Sequence, residues 1–261
     1  MQTLLNTPHE IIQQNILGAA AKAKTRILNI LVLGMMAGSF IAMGAQSSSL
    51  AVHNISNIGL ARTLAGCIFP VGLMMIVFVG GELFTGDCMM SMAWMQRKIH
   101  FADMLRTLVL VYVSNFVGAA LIAFLVAHSG QYDYSSGALG AYTIKVAYGK
   151  VHLSFANALV SGILCNILVC VAVLMAAAAK DIAGKVLAIF FPILAFVVSG
   201  FEHCVANMYY IPAGIFASKN AAYAAKALEL YNIDSTQLSS LNWGSFAISN
   251  LIPVTIGNII G

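Results

Sequence analysis

The chain has 261 residues, of which 60% are hydrophobic and only 8% are charged, and its mean hydropathy is +0.89. Soluble domains average about 25% charged residues, so this composition excludes an ordinary soluble protein and predicts a single transmembrane domain spanning residues 1–261. The net charge of +4 comes from scattered basic residues rather than from one basic face, so no nucleic-acid partner is expected.

Residues 1–26 are predicted to form a cytoplasmic segment that precedes the membrane domain. This segment is polar and has no apolar core of the kind found in a cleaved signal peptide. Its stretch Ile11–Ala23 is compatible with an amphipathic helix on the membrane surface and equally with an ordinary exposed helix. The sequence leaves these two alternatives open.

Six apolar segments follow, each close to the length of about 20 residues that a spanning helix needs. They are predicted at Ile27–Ala45, Leu64–Phe84, Met104–Ala127, Phe155–Ala179, Val186–Ala217 and Ser245–Gly261. The split of lysine and arginine between the two sides, eight against five, favours both termini in the cytoplasm. The sixth segment stops short, and we expect the natural chain to continue past Gly261.

The second and fifth segments are interrupted by glycine and charged residues, at Gly80–Asp87 and at Ser199–His203. Backbone groups freed by such a break cannot face lipid, so they line a path or are buried in protein. Corresponding breaks in two halves, 27–127 and 155–261, predict an inverted 3+3 repeat with the binding site at the breaks. We also match Asn115 of the third segment with Asn250 of the sixth.

A carboxylate and an imidazole, Glu202 and His203, lie inside the fifth apolar segment. Ionisable groups at this depth are costly unless they face a partner or an aqueous cavity, and they usually mark a transport path. The sequence therefore predicts a permeation site at His203.

Five motifs, which occur in order along the chain, resemble those of the formate/nitrite transporter family. They are Gly81-Glu82-Leu83-Phe84-Thr85-Gly86, Lys150-Val151-His152, Leu164–Cys170, Ser199–Met208 and Asn250–Asn258. The resemblance covers essentially the whole chain. It implies an aquaporin-like inverted repeat of six helices, assembled as a homopentamer in the bacterial inner membrane, with one path through each protomer. It implies a channel rather than an enzyme, without a cofactor, for small anions of weak acids.

The resemblance also implies roles for individual residues. A substrate pathway is expected at His203, Lys150, Thr85, Asn166, Asn207 and Glu202, and apolar constrictions are expected at Leu83, Phe196 and Leu73. His203 would donate a hydrogen bond or a proton to the anion, and Lys150 would concentrate anions at the pore mouth. Glu202 would turn away from the path and accept hydrogen bonds from backbone groups or from Asn166.

Formate is the expected substrate, since the Gly-Phe-Glu-His version of the break is more similar to formate-type members than to nitrite-type ones. Hydrosulfide and nitrite remain alternatives within the family. A membrane redox protein that binds haem is an alternative of a different class, although only His203 is well placed as a haem ligand and the cysteines show no metal-binding spacing. An aquaporin-type pore for neutral solutes would need paired Asn-Pro-Ala motifs, which the sequence lacks.

Overall fold

The computed structural model describes residues 5–261, which are almost entirely helical. Six helical stretches are long and apolar enough to cross a membrane. They are Ile27–Val52, Ile58–Val79, Phe101–Ala127, Phe155–Ala178, Ile182–Ser199 and Trp243–Ile260. The predicted all-α membrane fold with six spanning segments is confirmed.

The first half of the chain contains α1 (Pro8–Lys22), α2 (Ile27–Val52), α3 (Ile58–Ile68), α4 (Val71–Val79), α5 (Phe84–Asp87), α6 (Met90–Met95) and α7 (Phe101–Ala127). The second half contains α8 (Ala138–Val151), α9 (Phe155–Ala178), α10 (Ile182–Ser199), α11 (Cys204–Ser218), α12 (Ala221–Tyr231), α13 (Ser235–Ser239), α14 (Trp243–Ser245) and α15 (Ile252–Ile260). A 3₁₀ turn at Gln131–Asp133 lies between α7 and α8, and a π-helical stretch at Phe246–Leu251 lies between α14 and α15.

The first spanning helix is longer than predicted, because the polar run after Ala45 stays helical. Ser48 donates its hydroxyl to the carbonyl of Ala65 at 3.2 Å, and Gln46 accepts a hydrogen bond from the hydroxyl of Tyr209. Tertiary partners thus satisfy side chains that would be costly in lipid, and α2 continues to Val52.

Helices pack closely where glycine leaves room for a neighbouring backbone. A Cβ atom at Gly38 of α2 would lie 2.1 Å from the carbonyl oxygen of Asn115 in α7. A Cβ atom at Gly257 of α15 would lie 2.2 Å from the carbonyl oxygen of Leu159 in α9. These two contacts bring α2 against α7 and α9 against α15, as small residues do in membrane proteins.

Helix α1 lies across one end of the bundle, which we call the α1 face; the opposite end is the vestibule face. Ile16 and Ala19 of α1 are buried in a cluster with Met90 and Ala93 of α6, and the backbone NH of Asn6 donates to the carbonyl of Ala178 at 2.9 Å. Helix α1 therefore packs on protein, which neither alternative for Ile11–Ala23 anticipated.

Candidate functional site

The first break is held by one asparagine of the third spanning helix. Helix α4 ends at Gly80, whose φ of 101° suits a residue without a side chain. Asn115 then accepts a hydrogen bond from the NH of Phe84 at 2.9 Å. Its amide donates to the carbonyls of Gly34 and Glu82, both at 2.8 Å. A single side chain thus satisfies backbone groups that the break exposes.

The second break repeats this arrangement. Helix α10 ends at Gly200, with a φ of 71°, and Asn258 accepts from the NH of Cys204 at 2.8 Å. The amide of Asn258 donates to the carbonyls of Gly162 at 2.8 Å and Glu202 at 3.0 Å. The two halves of the chain therefore fix their breaks in the same way, as expected for an inverted repeat.

These contacts identify the true partner of Asn115 in the repeat. Asn258 makes the contacts that Asn115 makes, whereas Asn250 bonds to Lys150 and Glu202 instead. The predicted match of Asn115 with Asn250 is wrong. The error arose because both asparagines of the last helix precede apolar residues, and the sequence alone does not show which of them faces the break.

Leu83 and His203 occupy equivalent positions in the two halves. Each follows the glutamate of its break and directly precedes the next helix, and each has extended backbone angles. Leu83 makes no side-chain cap, whereas the ring of His203 caps α11. The repeat thus places an apolar side chain at one break and an imidazole at the other.

The hydrogen bonds of His203 define its protonation pattern. Its Nδ1 lies 3.1 Å from the backbone NH of Ala206, which can only donate, so Nδ1 is the acceptor. In the neutral ring the proton is therefore on Nε2, which lies 3.0 Å from Oγ1 of Thr85. His203 donates to Thr85, and the hydroxyl proton of Thr85 remains available to a third group.

Lys150 and Glu202 form a buried ion pair beside this site. The Nζ atom of Lys150 lies 2.8 Å from Oε1 of Glu202, whose side chain is only 7% exposed. The amide of Asn207 donates to the other carboxylate oxygen at 2.7 Å, and that of Asn250 donates to it at 3.3 Å. Such added hydrogen bonds are what makes a buried pair tolerable.

Asn166 contacts the first break rather than Glu202. Its amide donates to the carbonyl of Thr85 at 3.2 Å and to that of Asn258 at 2.6 Å. The expected hydrogen bond from Asn166 to Glu202 is therefore wrong; Asn207 and Asn250 take that place. The side-chain oxygens of Asn166 and Asn207 are buried without a hydrogen-bond partner in the described part of the chain.

Two cavities approach the Thr85–His203 pair from opposite faces. The vestibule cavity, of about 260 Å³, is lined by residues that include Lys150, His203 and Asn207. The α1 cavity, also of about 260 Å³, is lined by residues that include Gly86 and Asp87, immediately after Thr85. The vestibule cavity thus reaches His203 itself, and the α1 cavity reaches the residue that follows Thr85.

The α1 cavity contains a second, partly buried lysine that sequence reasoning missed. Lys22 contacts the carboxylates of Glu82 and Asp87. Burial lowers the pKa of Lys22, but the two carboxylates outweigh this and raise the pKa above its usual value.

Lys22 is the counterpart of Lys150 in the repeat. Lys22 precedes Gly34 by twelve residues, just as Lys150 precedes Gly162, and each lysine pairs with the glutamate of its own break. The equivalence of Gly34 and Gly162 comes from their hydrogen bonds to Asn115 and Asn258, so this spacing indicates Lys22 only once the fold is known.

The predicted constriction residues lie at different places. Phe196 lines the vestibule cavity together with Phe69; their ring centroids are 5.4 Å apart, and that of His203 is 6.0 Å from Phe196. Leu73 and Leu83 are buried in the apolar core and are not among the residues that line the two cavities. Phe69 is a further aromatic residue that lines this cavity, and the sequence did not point to it as a constriction residue.

Comparisons with known proteins agree with this architecture. The model of the family described as "Formate/nitrite transporter" matches residues 9–261. The chain is 37% identical over 261 residues to a probable formate transporter of Methanothermobacter thermautotrophicus, covering 93% of this chain and 88% of that protein. It is 36% identical over 245 residues to the formate channel FocA of Haemophilus influenzae, covering 93% and 86% of the two chains.

A solved structure is similar in fold as well as in sequence. It is described as a pentameric formate channel with formate bound, and it superposes with a TM-score of 0.79 at 32% identity, covering 90% of this chain and 92% of that one. Together with the match over nearly the whole chain, this shows that the chain belongs to the formate/nitrite transporter family.

Proposed function

We propose that the chain is a channel for small monovalent anions of weak acids, with formate as its main substrate. The names of the similar proteins support formate, and the pentameric state of the similar solved channel supports a homopentamer. Each protomer would contain its own path, which leads from the vestibule cavity past His203 to the α1 cavity. The α1 face would be cytoplasmic in a bacterial inner membrane, with both termini on that side.

The observation that carries this proposal is the hydrogen-bonded pair of Thr85 and His203 between the two cavities. The oxygen of Thr85 accepts from His203, so its hydroxyl proton can be donated to a carboxylate that reaches the break. Lys150 lines the vestibule that leads to it. Fixed donors that replace the water lost by an anion lower the cost of passing an apolar region.

The cap made by His203 favours hydrogen bonding over proton transfer. To become a cation, the ring would have to bind a proton at Nδ1, which now accepts from the NH of Ala206. Protonation would break that bond and leave a buried donor unpaired, at a cost of about 1–3 kcal/mol. We infer that His203 acts first as the hydrogen-bond donor to Thr85. The ring could transfer a proton to the anion only if the cap on Ala206 opened.

The remaining predicted residues would support this path. Glu202 holds Lys150 at the vestibule, and Asn207 holds Glu202. Asn166 fixes the backbone of Thr85. Phe196, together with Leu83 and Leu73 deeper in the bundle, would form apolar narrowings that exclude hydrated ions by the cost of dehydration.

A haem-binding function is disfavoured by the same contacts. Both ring nitrogens of His203 already bond within the protein, so neither is free for iron. No cluster of metal-ligating side chains occurs within residues 5–261. Hydrosulfide and nitrite are small enough for the same path, so the substrate test includes them.

The test is flux through proteoliposomes of the purified chain, with formate, nitrite, hydrosulfide, acetate and lactate compared from pH 5 to pH 8. We expect the highest flux for formate. His203→Phe should abolish it without loss of the oligomer, because the break loses its imidazole donor. His100→Phe changes an exposed histidine and should leave flux unchanged. Formate flux that survives His203→Phe would overturn the proposal.

A further inference from the structure

The vestibule cavity adjoins a second cavity on the same face, which we call the outer cavity. The outer cavity has a volume of about 540 Å³. The two cavities share Val52, Arg62, Ala65 and Tyr142 in their linings. The outer cavity therefore lies directly beside the vestibule cavity.

Two cations, Arg62 and Lys145, line the outer cavity. Within residues 5–261, Arg62 has no hydrogen bond or ion pair with a protein group. The Nζ atom of Lys145 lies over the ring of Tyr231, 4.6 Å from its centroid, and has no carboxylate partner in that part of the chain. Neither cavity is lined by an aspartate or a glutamate of the described residues.

The deeper cation of this face is already neutralised. Lys150 is paired with Glu202 at 2.8 Å, so at a distance the two charges largely cancel. The unbalanced positive charge around the mouth therefore comes from Arg62 and Lys145. A cation at the mouth attracts an anion over about one Debye length, which is about 30 Å at 0.01 M salt and 8 Å at 0.15 M.

Arg62 is placed to hold an anion at the entrance and not merely to attract it. Its guanidinium lies beside the second break: a Cβ atom built on Gly200 would be 3.6 Å from Nη2 and 3.8 Å from Nη1 of Arg62. Since Gly200 has no side chain, none covers the planar group at this position. A guanidinium with free NH groups matches a carboxylate in a two-point hydrogen bond.

We propose that Arg62 and Lys145 form an outer binding subsite for small carboxylates, from which the vestibule is loaded. The subsite holds the anion before it meets Lys150, and it contributes to the apparent affinity rather than to the rate of passage through the break. The onward movement of the anion rests on the proposed function, whereas binding at the subsite does not.

The first test is the concentration dependence of formate flux at 0.01 M and 0.15 M salt. Arg62→Gln should raise KM about two- to fivefold at low salt, the effect of one exposed charge, with the maximal rate unchanged. The increase should shrink at high salt, and Arg62→Lys should restore part of it. Lys226→Gln is the matched control, because it removes one charge from a lysine already paired with Glu229.

The second test measures binding without transport. The formate anion has one carbon-bound proton, which gives a single NMR signal. Saturation transferred from the detergent-solubilised protein to this proton reports weak binding directly. We expect the saturation transferred to formate to fall in Arg62→Gln and to fall further in the double variant that also carries Lys145→Gln. Lys226→Gln should give the same signal as the unchanged protein. A signal and a KM in Arg62→Gln equal to those of Lys226→Gln would overturn the subsite. If formate binds in this way but does not cross the bilayer, only the proposed function fails.

Discussion

Replacing Asn258 with alanine tests whether one amide holds the second break together. The substitution removes the partner of the Cys204 NH and of the Glu202 carbonyl. The carbonyl of Gly162 lies within α9 and keeps its helical hydrogen bond, so it is not counted. Two buried backbone groups without partners cost about 1–3 kcal/mol each, which gives a loss of about 2–6 kcal/mol.

The assay is thermal unfolding of the purified protein in detergent, followed by the loss of its oligomer. For a chain of this length 1 kcal/mol corresponds to about 2–4 °C, so Asn258→Ala should lower Tm by at least about 4 °C. Asn115→Ala removes the equivalent amide at the first break and should lower Tm by a similar amount. Asn157→Ala changes an exposed asparagine and serves as the control.

Flux then separates the two equivalent variants. Below its own Tm, Asn258→Ala should lose formate flux, because the loop that carries His203 is no longer fixed. Asn115→Ala loosens the loop of Leu83 and should retain more flux. The reasoning is refuted if Asn258→Ala unfolds at the same temperature as Asn157→Ala, since the break backbone would then find other partners.

Three further outcomes are expected. Lys150→Gln should reduce formate flux equally at low and high salt, because it breaks a buried ion pair; a loss that disappears at high salt would contradict this. Gly38→Ala should destabilise the protein by about 1–3 kcal/mol or more, because the added methyl group meets the backbone of α7. Gly18→Ala adds its methyl group to open space and should not destabilise the protein. Equal denaturation midpoints of the two variants would count against the packing argument. Hydrogen bonds from the backbone and side chain of Thr7 lower the pKa of Glu10. The cap of α1 therefore contributes its full stability above the ordinary glutamate pKa, and this contribution is lost as the pH falls through the lowered pKa of Glu10. Hydrogen exchange of the first turn, corrected for intrinsic rates, should show this loss in the unchanged protein and no pH dependence in Glu10→Gln.

The fold could be predicted from the sequence because its signals are local. Apolar segments of membrane-spanning length and glycines at both breaks are read directly along the chain. The ends of α2 and α3 were predicted less well, since polar residues such as Gln46 remain in the helix only through partners far away in sequence. Asn57, which caps α3 by accepting from the NH of Leu60 at 3.0 Å, was also overlooked.

The residues of the candidate site could be named from the sequence, and so could the contact between Thr85 and His203, but most of the other hydrogen bonds could not. His203, Thr85 and Lys150 were identified by their motifs, whereas the contacts of Asn166 depend on how α9 turns relative to both breaks. Lys22 was missed because a lysine in a polar leader looks exposed until the fold brings it to Glu82. The repeat was predicted from the breaks, but its register required the hydrogen bonds of Asn258.

The equivalence of Leu83 and His203 has a consequence for how this protein acquires sidedness. The two halves of the chain hold their breaks with the same kind of asparagine contacts in opposite orientations, so the arrangement of helices does not by itself distinguish the two faces. Asymmetry enters through single side chains at matching positions, a leucine at the first break and a histidine at the second. An asymmetric pathway can therefore arise in a symmetric arrangement of helices by point substitution, without any rearrangement of those helices.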